Sequence, residues 1–288
     1  MSPKRQFGDF APQYTRPDTS KIVLIPVPFD GTSTYMKGAD KGPDAILKAS
    51  PNLEFYDIQS DSEVYTEGIY TDSPVKGFKK PEPMVKAVRK RAAGHIGKGK
   101  FVVVLGGEHS VSVGAIQAHA DVYRNLTILQ LDAHSDLRDQ YEGSPYNHAC
   151  VMARAKEICP IVQVGIRSMD VGEKKNMDKS RVFFAHDICD GQSRKWIDKC
   201  VNLLTENVYI TIDLDVFDPS VLPATGTPEP GGMNWYGVIA LMEKVFKKCN
   251  VVGFDVVELC PRKEHWGSDF LAAKLIYSLL TYKFRSNG

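Results

Sequence analysis

The sequence predicts an α/β fold, a three-layer αβα sandwich built on a mostly parallel central sheet. Three observations carry that expectation. Short Val- and Ile-rich runs are apolar on both faces, as strands covered on both sides must be. Longer amphipathic segments alternate with them, the pattern of βαβ units with right-handed crossovers. No internal repeat and no Pro/Gly/Ser-rich linker interrupts the alternation.

In chain order the strand-like runs are 22–28, 101–105, 126–131, 161–164, 182–185, 208–212 and 251–257. The helix-like segments between and after them are 83–96, 111–123, 150–158, 194–206, 236–249 and 269–283. In the last, Phe270, Leu271, Leu275, Leu279 and Leu280 recur with a helical period. In 83–96, Met84, Val85 and Val88 supply an apolar side, so Lys86, Arg89, Lys90 and Arg91 read as a solvated face. Residues 1–20 read as an extension, 21–288 as one domain, and 50–82 as a long excursion containing Pro51, Pro74, Pro81 and Pro83.

Composition narrows the function. The 288 residues are 43% hydrophobic and 25% charged, the balance of a soluble globular chain long enough to bury a sizeable core. Lys and Arg number 36 against 35 Asp and Glu, so a net charge of +1 gives no surplus for nucleic acid or an anionic membrane. No apolar run approaches the roughly 20 residues that cross a bilayer. The polar, proline-containing start resembles neither a secretory signal nor a transit peptide. Cys150, Cys159, Cys189, Cys200, Cys249 and Cys260 form no CxxC pair and read as free thiols in a cytoplasmic protein.

In an open α/β sheet ligands bind beyond the carboxyl ends of the strands, so those ends are where chemistry is sought. Run 126–131 leads into Asp132-Ala133-His134-Ser135-Asp136, and on an extended backbone Asp132, His134 and Asp136 point the same way. Run 208–212 leads into Asp213-Leu214-Asp215, which repeats the pattern. A single Asp after a strand is ordinarily a cap or turn former; two clusters at separate strand ends are not so easily explained. Like charges gathered there are costly unless something positive sits among them. Run 101–105 adds Gly106-Gly107-Glu108-His109-Ser110, whose paired glycines permit a tight turn that delivers His109. Two imidazoles and four carboxylates without a thiolate suit a pair of hard or borderline ions, Mn²⁺ ahead of Zn²⁺.

These three motifs resemble the signatures of the ureohydrolases, the arginase and agmatinase family. So do the segment 211–219 as a whole, the stretch 223–232, Asp255-Val256-Val257-Glu258 and Lys41-Gly42-Pro43-Asp44-Ala45-Ile46. The likeness spans about residues 20–285. It implies an arginase-like fold with two Mn²⁺ ions per subunit. One ion would be held by His109 and Asp136 and the other by His134 and Asp215, with Asp132 and Asp213 bridging. A hydroxide between the ions would attack the guanidinium carbon, and Asp136 would carry the proton to the leaving nitrogen. By the same likeness Glu258 binds the guanidinium and His148 is the proton shuttle. From the residues alone, a solvated loop acid is the lesser alternative for Glu258, and a histidine at a helix start the lesser alternative for His148. Family members form trimers or hexamers, so a homo-oligomer is expected. Metal-dependent deacetylases share the architecture but use a His-His pair, which is absent here; a non-catalytic homologue would not need all six ligand positions filled.

Segment 137–147 resembles the agmatinase version, acidic and without the set that holds arginine's α-carboxylate. Agmatine, cationic at both ends, is therefore the expected substrate, with putrescine and urea as products. N-aminopropylagmatine, guanidinobutyrate and arginine are the alternatives. Guanidinobutyrate would ask for a basic group at the far end of the pocket, and none stands out in the sequence. Asp170 matches a position that contacts the substrate amine in arginases, though a plain loop aspartate explains it as well. Glu229, in a Pro/Gly-rich loop, reads as readily as a loop-shaping residue. His95, His119, His186 and His265 have no motif around them and read as surface or core residues.

Overall fold

The structure is a computed structural model and describes residues 5–189 and 194–285. Strand β1 (Ile22–Val27) is followed by helix α1 (Gly42–Ala49), β2 (Ile69–Thr71), α2 (Pro81–Ile96), β3 (Phe101–Gly106), α3 (Val111–Ala120) and β4 (Leu126–Leu131). Then come α4 (Val151–Lys156), β5 (Ile161–Ile166), β6 (Val182–Phe184), α5 (Ala185–Ile188) and α6 (Lys195–Asn202). The chain closes with β7 (Asn207–Asp213), α7 (Trp235–Lys248), β8 (Asn250–Val257) and α8 (Trp266–Phe284). The strands form one sheet in the order β2-β1-β3-β8-β7-β4-β5-β6, and every pairing is parallel.

Successive side chains of a strand enter opposite layers. In β1, Ile22 and Leu24 join α1, α6, α7 and α8 in one core cluster, while Val23, Ile25 and Val27 join α2, α3 and α4 in the other. The strands are buried on both faces because helices cover both, which is why they read as unbroken apolar runs. The three-layer αβα sandwich expected from the sequence is thus present, with an entirely parallel sheet.

The differences are local. Helix α1 and strand β2 lie where the sequence shows no periodic signal: α1 is eight residues long, begins Gly-Pro, and buries only Gly42, Pro43, Ala45, Ile46 and Leu47. β2 places three residues of the 50–82 excursion on the sheet edge. Segment 194–206 is helical only over Lys195–Asn202, and 150–158 only over Val151–Lys156. Of the extension 1–20, residues 1–4 lie outside the described residues; Phe7 is fully buried, and Phe10 stacks on Tyr65 at 4.6 Å. No disulfide joins the six cysteines, all of which lie among the described residues. No helix among the described residues is long and apolar enough to cross a membrane.

The order of the strands fixes where a ligand can sit. β3 and β4 are consecutive in sequence but separated in the sheet by β8 and β7, so α3 crosses the sheet between them. The chain leaves β4 toward β5 and its sheet neighbour β7 toward β8, in opposite directions across the sheet, and the carboxyl ends of β3, β8, β7 and β4 surround that crevice.

Candidate metal centre and active site

The loop after β3 can turn here because position 107 is glycine. A Cβ on Gly107 would lie 1.9 Å from the Phe29 carbonyl oxygen, two residues past the end of β1. The Gly107 carbonyl accepts from the Glu258 amide at 2.8 Å, tying this turn to the end of β8. His109 follows, 1% exposed. Its Nε2 donates to Thr211 Oγ1 at 2.8 Å, because that hydroxyl gives its own proton to Asp255 Oδ1 at 2.7 Å. Tyr209 donates to the other Asp255 oxygen at 2.8 Å. In the neutral ring, with its proton on Nε2, Nδ1 carries a lone pair. That atom is buried without a hydrogen bond and faces Asp136 at 3.0 Å, Asp132 at 3.2 Å and Asp213 at 3.5 Å.

A lone pair directed at three carboxylates is unfavourable unless a cation lies among them. The remaining donors complete the pattern. His134 Nδ1 lies 2.8 Å from Asp215 Oδ2 and 3.7 Å from Asp132 Oδ1. One ligand atom each from His109, Asp132 and Asp213 lie within 4.8 Å of one another, and so do those of Asp132, His134 and Asp215. Asp132 belongs to both groups. The donor set of imidazole and carboxylate fits two neighbouring divalent ions.

Two of these side chains arrive by a route that strand alternation does not describe. β4 ends at Leu131, and Asp136 adopts a left-handed backbone with φ of 51°. Asp215 lies in a 3₁₀ turn, Leu214–Val216, whose first free amide is capped by Asp213 Oδ1 at 2.9 Å. The expectation that an extended backbone would align i, i+2 and i+4 therefore fails for Asp136 and Asp215, though the structure gathers all six residues. Left-handed non-glycine backbone costs on the order of 1–3 kcal/mol and collects at functional sites. Glu258 is a second case, with φ of 64°.

The electrostatics of the cluster are those of groups seeking positive charge. Burial and the Asp132 carboxylate push Asp136 up to about 7. Burial, Asp215 and Asp132 drive Asp213 well up, and burial with Glu108 does the same to Glu258. Burial opposes charge on His134, but Asp215 and Asp132 outweigh it and push the imidazole up to about 12. Asp132, between both histidines, goes down despite its burial. The cluster thus takes up protons where it could take up metal cations.

The donors open into a cavity of about 180 Å³ whose wall includes His109, His134, Asp136, Asp213, Asp215 and Glu258. That is smaller than the roughly 300–1,000 Å³ typical of drug-sized ligands, and suits a slim, extended molecule. Glu258 Oε1 accepts from the His109 amide at 2.7 Å, and a Cβ at Gly226 would lie 3.8 Å from Oε2. His148 lines the same cavity, partly exposed. Burial pushes its imidazole down to about 4.

Asp170 also lines the cavity, but Oδ1 caps a short 3₁₀ turn by accepting from Gly172 N at 2.8 Å, with Glu173 completing the capping box. Its Oδ2 lies 3.8 Å from Arg138, whose guanidinium stacks on Tyr141 at 4.4 Å. Arg138 is a basic group in the cavity wall. It leaves no signal in the sequence because it sits in a segment that is otherwise acidic. Glu229 Oε1 reaches to 4.0 Å from His134 Nε2.

Other supports escaped sequence reasoning. Gln130 Nε2 donates to Asp132 Oδ2 at 2.7 Å, and its own oxygen accepts from Gln163 at 2.6 Å. Arg167 donates to the carbonyls of Asp215 at 2.6 Å and Glu229 at 2.7 Å, fastening the loop after β7 to the Pro/Gly-rich loop. Such partners orient ligands from behind; they leave no signal in spacing.

Comparison with known proteins places this geometry in context. Residues 20–281 match the model of one family, described as the Arginase family. The N(1)-aminopropylagmatine ureohydrolase of Synechocystis sp. is 38% identical over 91% of this chain and 88% of its own. The agmatinase of Pyrococcus horikoshii is 34% identical, with 90% of each chain covered. Among solved structures, the agmatine ureohydrolase of Thermoplasma volcanium superposes with a TM-score of 0.88 at 33% identity, covering 98% of this chain and 95% of that one.

Proposed function

The chain belongs to the arginase family, and from that premise we propose that it hydrolyses agmatine to putrescine and urea in the cytoplasm, as a step in making polyamines. The observation that carries the reading is the buried, unpartnered Nδ1 of His109 among three carboxylates, beside a second ligand group that shares Asp132. His109 and Asp136 would hold one Mn²⁺ and His134 and Asp215 the other, with Asp132 and Asp213 between them. Such a pair of ions, when bound, supplies an activated water at neutral pH and charge stabilisation for the tetrahedral carbon.

The chain's own residues do the rest. Glu258, with one oxygen fixed by the His109 amide, offers the other to the N–H edge of the planar guanidinium, a charge-assisted contact that sets the carbon's orientation. Asp136 accepts the proton of the attacking water and passes it to the leaving nitrogen. His148 exchanges protons between solvent and the departing amine. The acidic lining favours a dication, with Asp170 near the distal ammonium. We place residues 21–288 in one catalytic domain and expect a homo-oligomer, a trimer or hexamer.

A second reading, N-aminopropylagmatine, is favoured by the name and 38% identity of the Synechocystis relative. That substrate keeps the guanidinobutyl half and extends past the rim, where Tyr35 is 73% exposed. Urea release from the Mn²⁺-loaded protein separates the readings, using agmatine, N-aminopropylagmatine, arginine and guanidinobutyrate side by side. Agmatine should be preferred. A preference for N-aminopropylagmatine selects the second reading, and one for guanidinobutyrate assigns its carboxylate to Arg138. A preference for arginine ends the agmatinase assignment, and no urea from any of them ends the hydrolase assignment.

A further inference from the structure

His148 sits 116 positions from Thr32 in sequence, yet their side chains meet. Thr32 Oγ1 has three neighbours within hydrogen-bond distance: Glu108 Oε1 at 2.9 Å, the His148 amide nitrogen at 3.0 Å and His148 Nδ1 at 3.1 Å. Glu108 is fully buried and fixed by the Ser110 amide at 2.7 Å and the Ser110 hydroxyl at 2.9 Å. Thr32 is itself buried.

We propose that Thr32 and Glu108 are positioning residues that hold His148 with its proton on Nδ1 and its Nε2 lone pair toward the cavity. The inference rests on the reading of His148 as the proton-exchanging group. It follows from valence. A hydroxyl has one hydrogen and two lone pairs. The Glu108 carboxylate only accepts, so the Thr32 proton goes to it. The His148 amide only donates, so it occupies one lone pair. The remaining lone pair faces Nδ1, which therefore carries the hydrogen. In a neutral imidazole that leaves Nε2, on the opposite edge of the ring, as the free base. During turnover the carbon–nitrogen bond breaks with the proton that Asp136 carries, and Nε2 then passes a proton taken from water to the departing amine, which leaves as an ammonium. Nδ1 keeps its proton throughout. A buried carboxylate orients a catalytic histidine in the same way in hydrolytic triads; here a hydroxyl stands between them.

Glu108→Gln makes a sharper test than simple deletion. The Ser110 amide needs an oxygen acceptor, so the new amide oxygen must stay on that side and the NH₂ must face Thr32. The Thr32 hydroxyl then turns its hydrogen to Nδ1, and the His148 proton moves to Nε2.

The experiment is ¹⁵N NMR of the full chain labelled at histidine and loaded with diamagnetic Mg²⁺, with His148 assigned by its loss in His148→Asn. The wild-type protein should show a protonated Nδ1 and an unprotonated Nε2. Glu108→Gln should reverse them, Thr32→Val should lose the preference, and Thr32→Ser should regain it. With Mn²⁺ and agmatine, Thr32→Val should lower kcat by about tenfold or more, since acid–base catalysis contributes about 100-fold or more. KM should change by less than about threefold, and Thr32→Ser should recover most of kcat. A wild-type His148 protonated on Nε2 overturns the relay without any variant having to fold. So does a Thr32→Val protein with unchanged tautomer and kcat. An undiminished kcat in His148→Asn instead removes the role of His148 itself, leaving the tautomer result to stand or fall alone.

Discussion

His119 lies on the buried face of α3, fully enclosed, with Nδ1 donating to the Ala115 carbonyl at 2.8 Å and its ring against Tyr209 at a centroid distance of 4.6 Å. It fits only because position 253 is glycine: a Cβ there would lie 2.4 Å from Nε2. Nε2 makes no hydrogen bond in the folded protein, and burial pushes the imidazole down to about 4 against the opposing pull of the Ala115 and Val252 backbone. An unfolded histidine takes its proton near pH 6.5 and the folded one only near 4, so between those values the unfolded chain binds more protons. Stability is full above about pH 6.5 and falls as the pH drops toward 4, by roughly 3 kcal/mol from this residue. His119→Gln should remove that share of the acid slope in urea melts at pH 7, 6, 5 and 4. An unchanged slope would show that the ring is charged in the folded protein. The sequence left His119 among motif-free histidines, and what decides its role is Gly253 on another element.

At the level of elements, what could be read from the sequence is what depends on local pattern. Unbroken apolar runs, covered on both faces, revealed most strands, and strand ends pointed to Asp132, His134, Asp213 and His109. What could not be read depends on contacts between distant segments. Thr32 reaches His148, and Gln163 reaches Gln130 across neighbouring strands. Arg138 enters the cavity wall from a segment whose composition suggested only acidity. Asp136 and Asp215 were identified for a reason that proved incomplete, since turns rather than extended strands aim them. Gly107 joins the two levels, because it lets β1, β3 and β8 converge behind the metal ligands. Gly107→Ala forces a carbon to 1.9 Å from the Phe29 oxygen, where backbone rather than a flexible side chain must yield. The expected cost is about 1–3 kcal/mol or more. Because the shift displaces His109 and Glu108 directly, kcat should fall on the order of 100-fold in the molecules that remain folded. Denaturant midpoints and turnover of the folded fraction check both. Retention of either value would mean the turn can open without moving the site.

Across the whole molecule, a net charge of +1 conceals a strongly uneven distribution. Asp132, Asp136, Asp213 and Asp215 are 0–6% exposed at one end of the sheet, with Glu108 and Glu258 beside them. An unfolded chain keeps those carboxylates apart and hydrated, whereas the folded one concentrates them, so ions that bind only the folded cluster must raise stability. One site at a hundredfold excess over its Kd contributes about 2.7 kcal/mol, and two contribute roughly twice that. For a chain of this length such a gain is on the order of 10 °C in melting temperature. Mn²⁺ should produce it and Ca²⁺ much less, because two of the donors are imidazole nitrogens, which suit Mn²⁺ better than Ca²⁺. A chelator should reverse the gain. Asp132 belongs to both ligand groups, so Asp132→Asn should lose most of the increment from both sites and abolish urea release. Removal of a ligand belonging to one group, such as Asp215→Asn, should leave about half the increment. Thermal melts of the three proteins, with Mn²⁺, Ca²⁺ and chelator, separate these cases. Equal increments in Asp132→Asn and the unmodified chain would mean that the ions bind elsewhere, and a melting temperature indifferent to Mn²⁺ would mean that the gathered carboxylates hold protons instead.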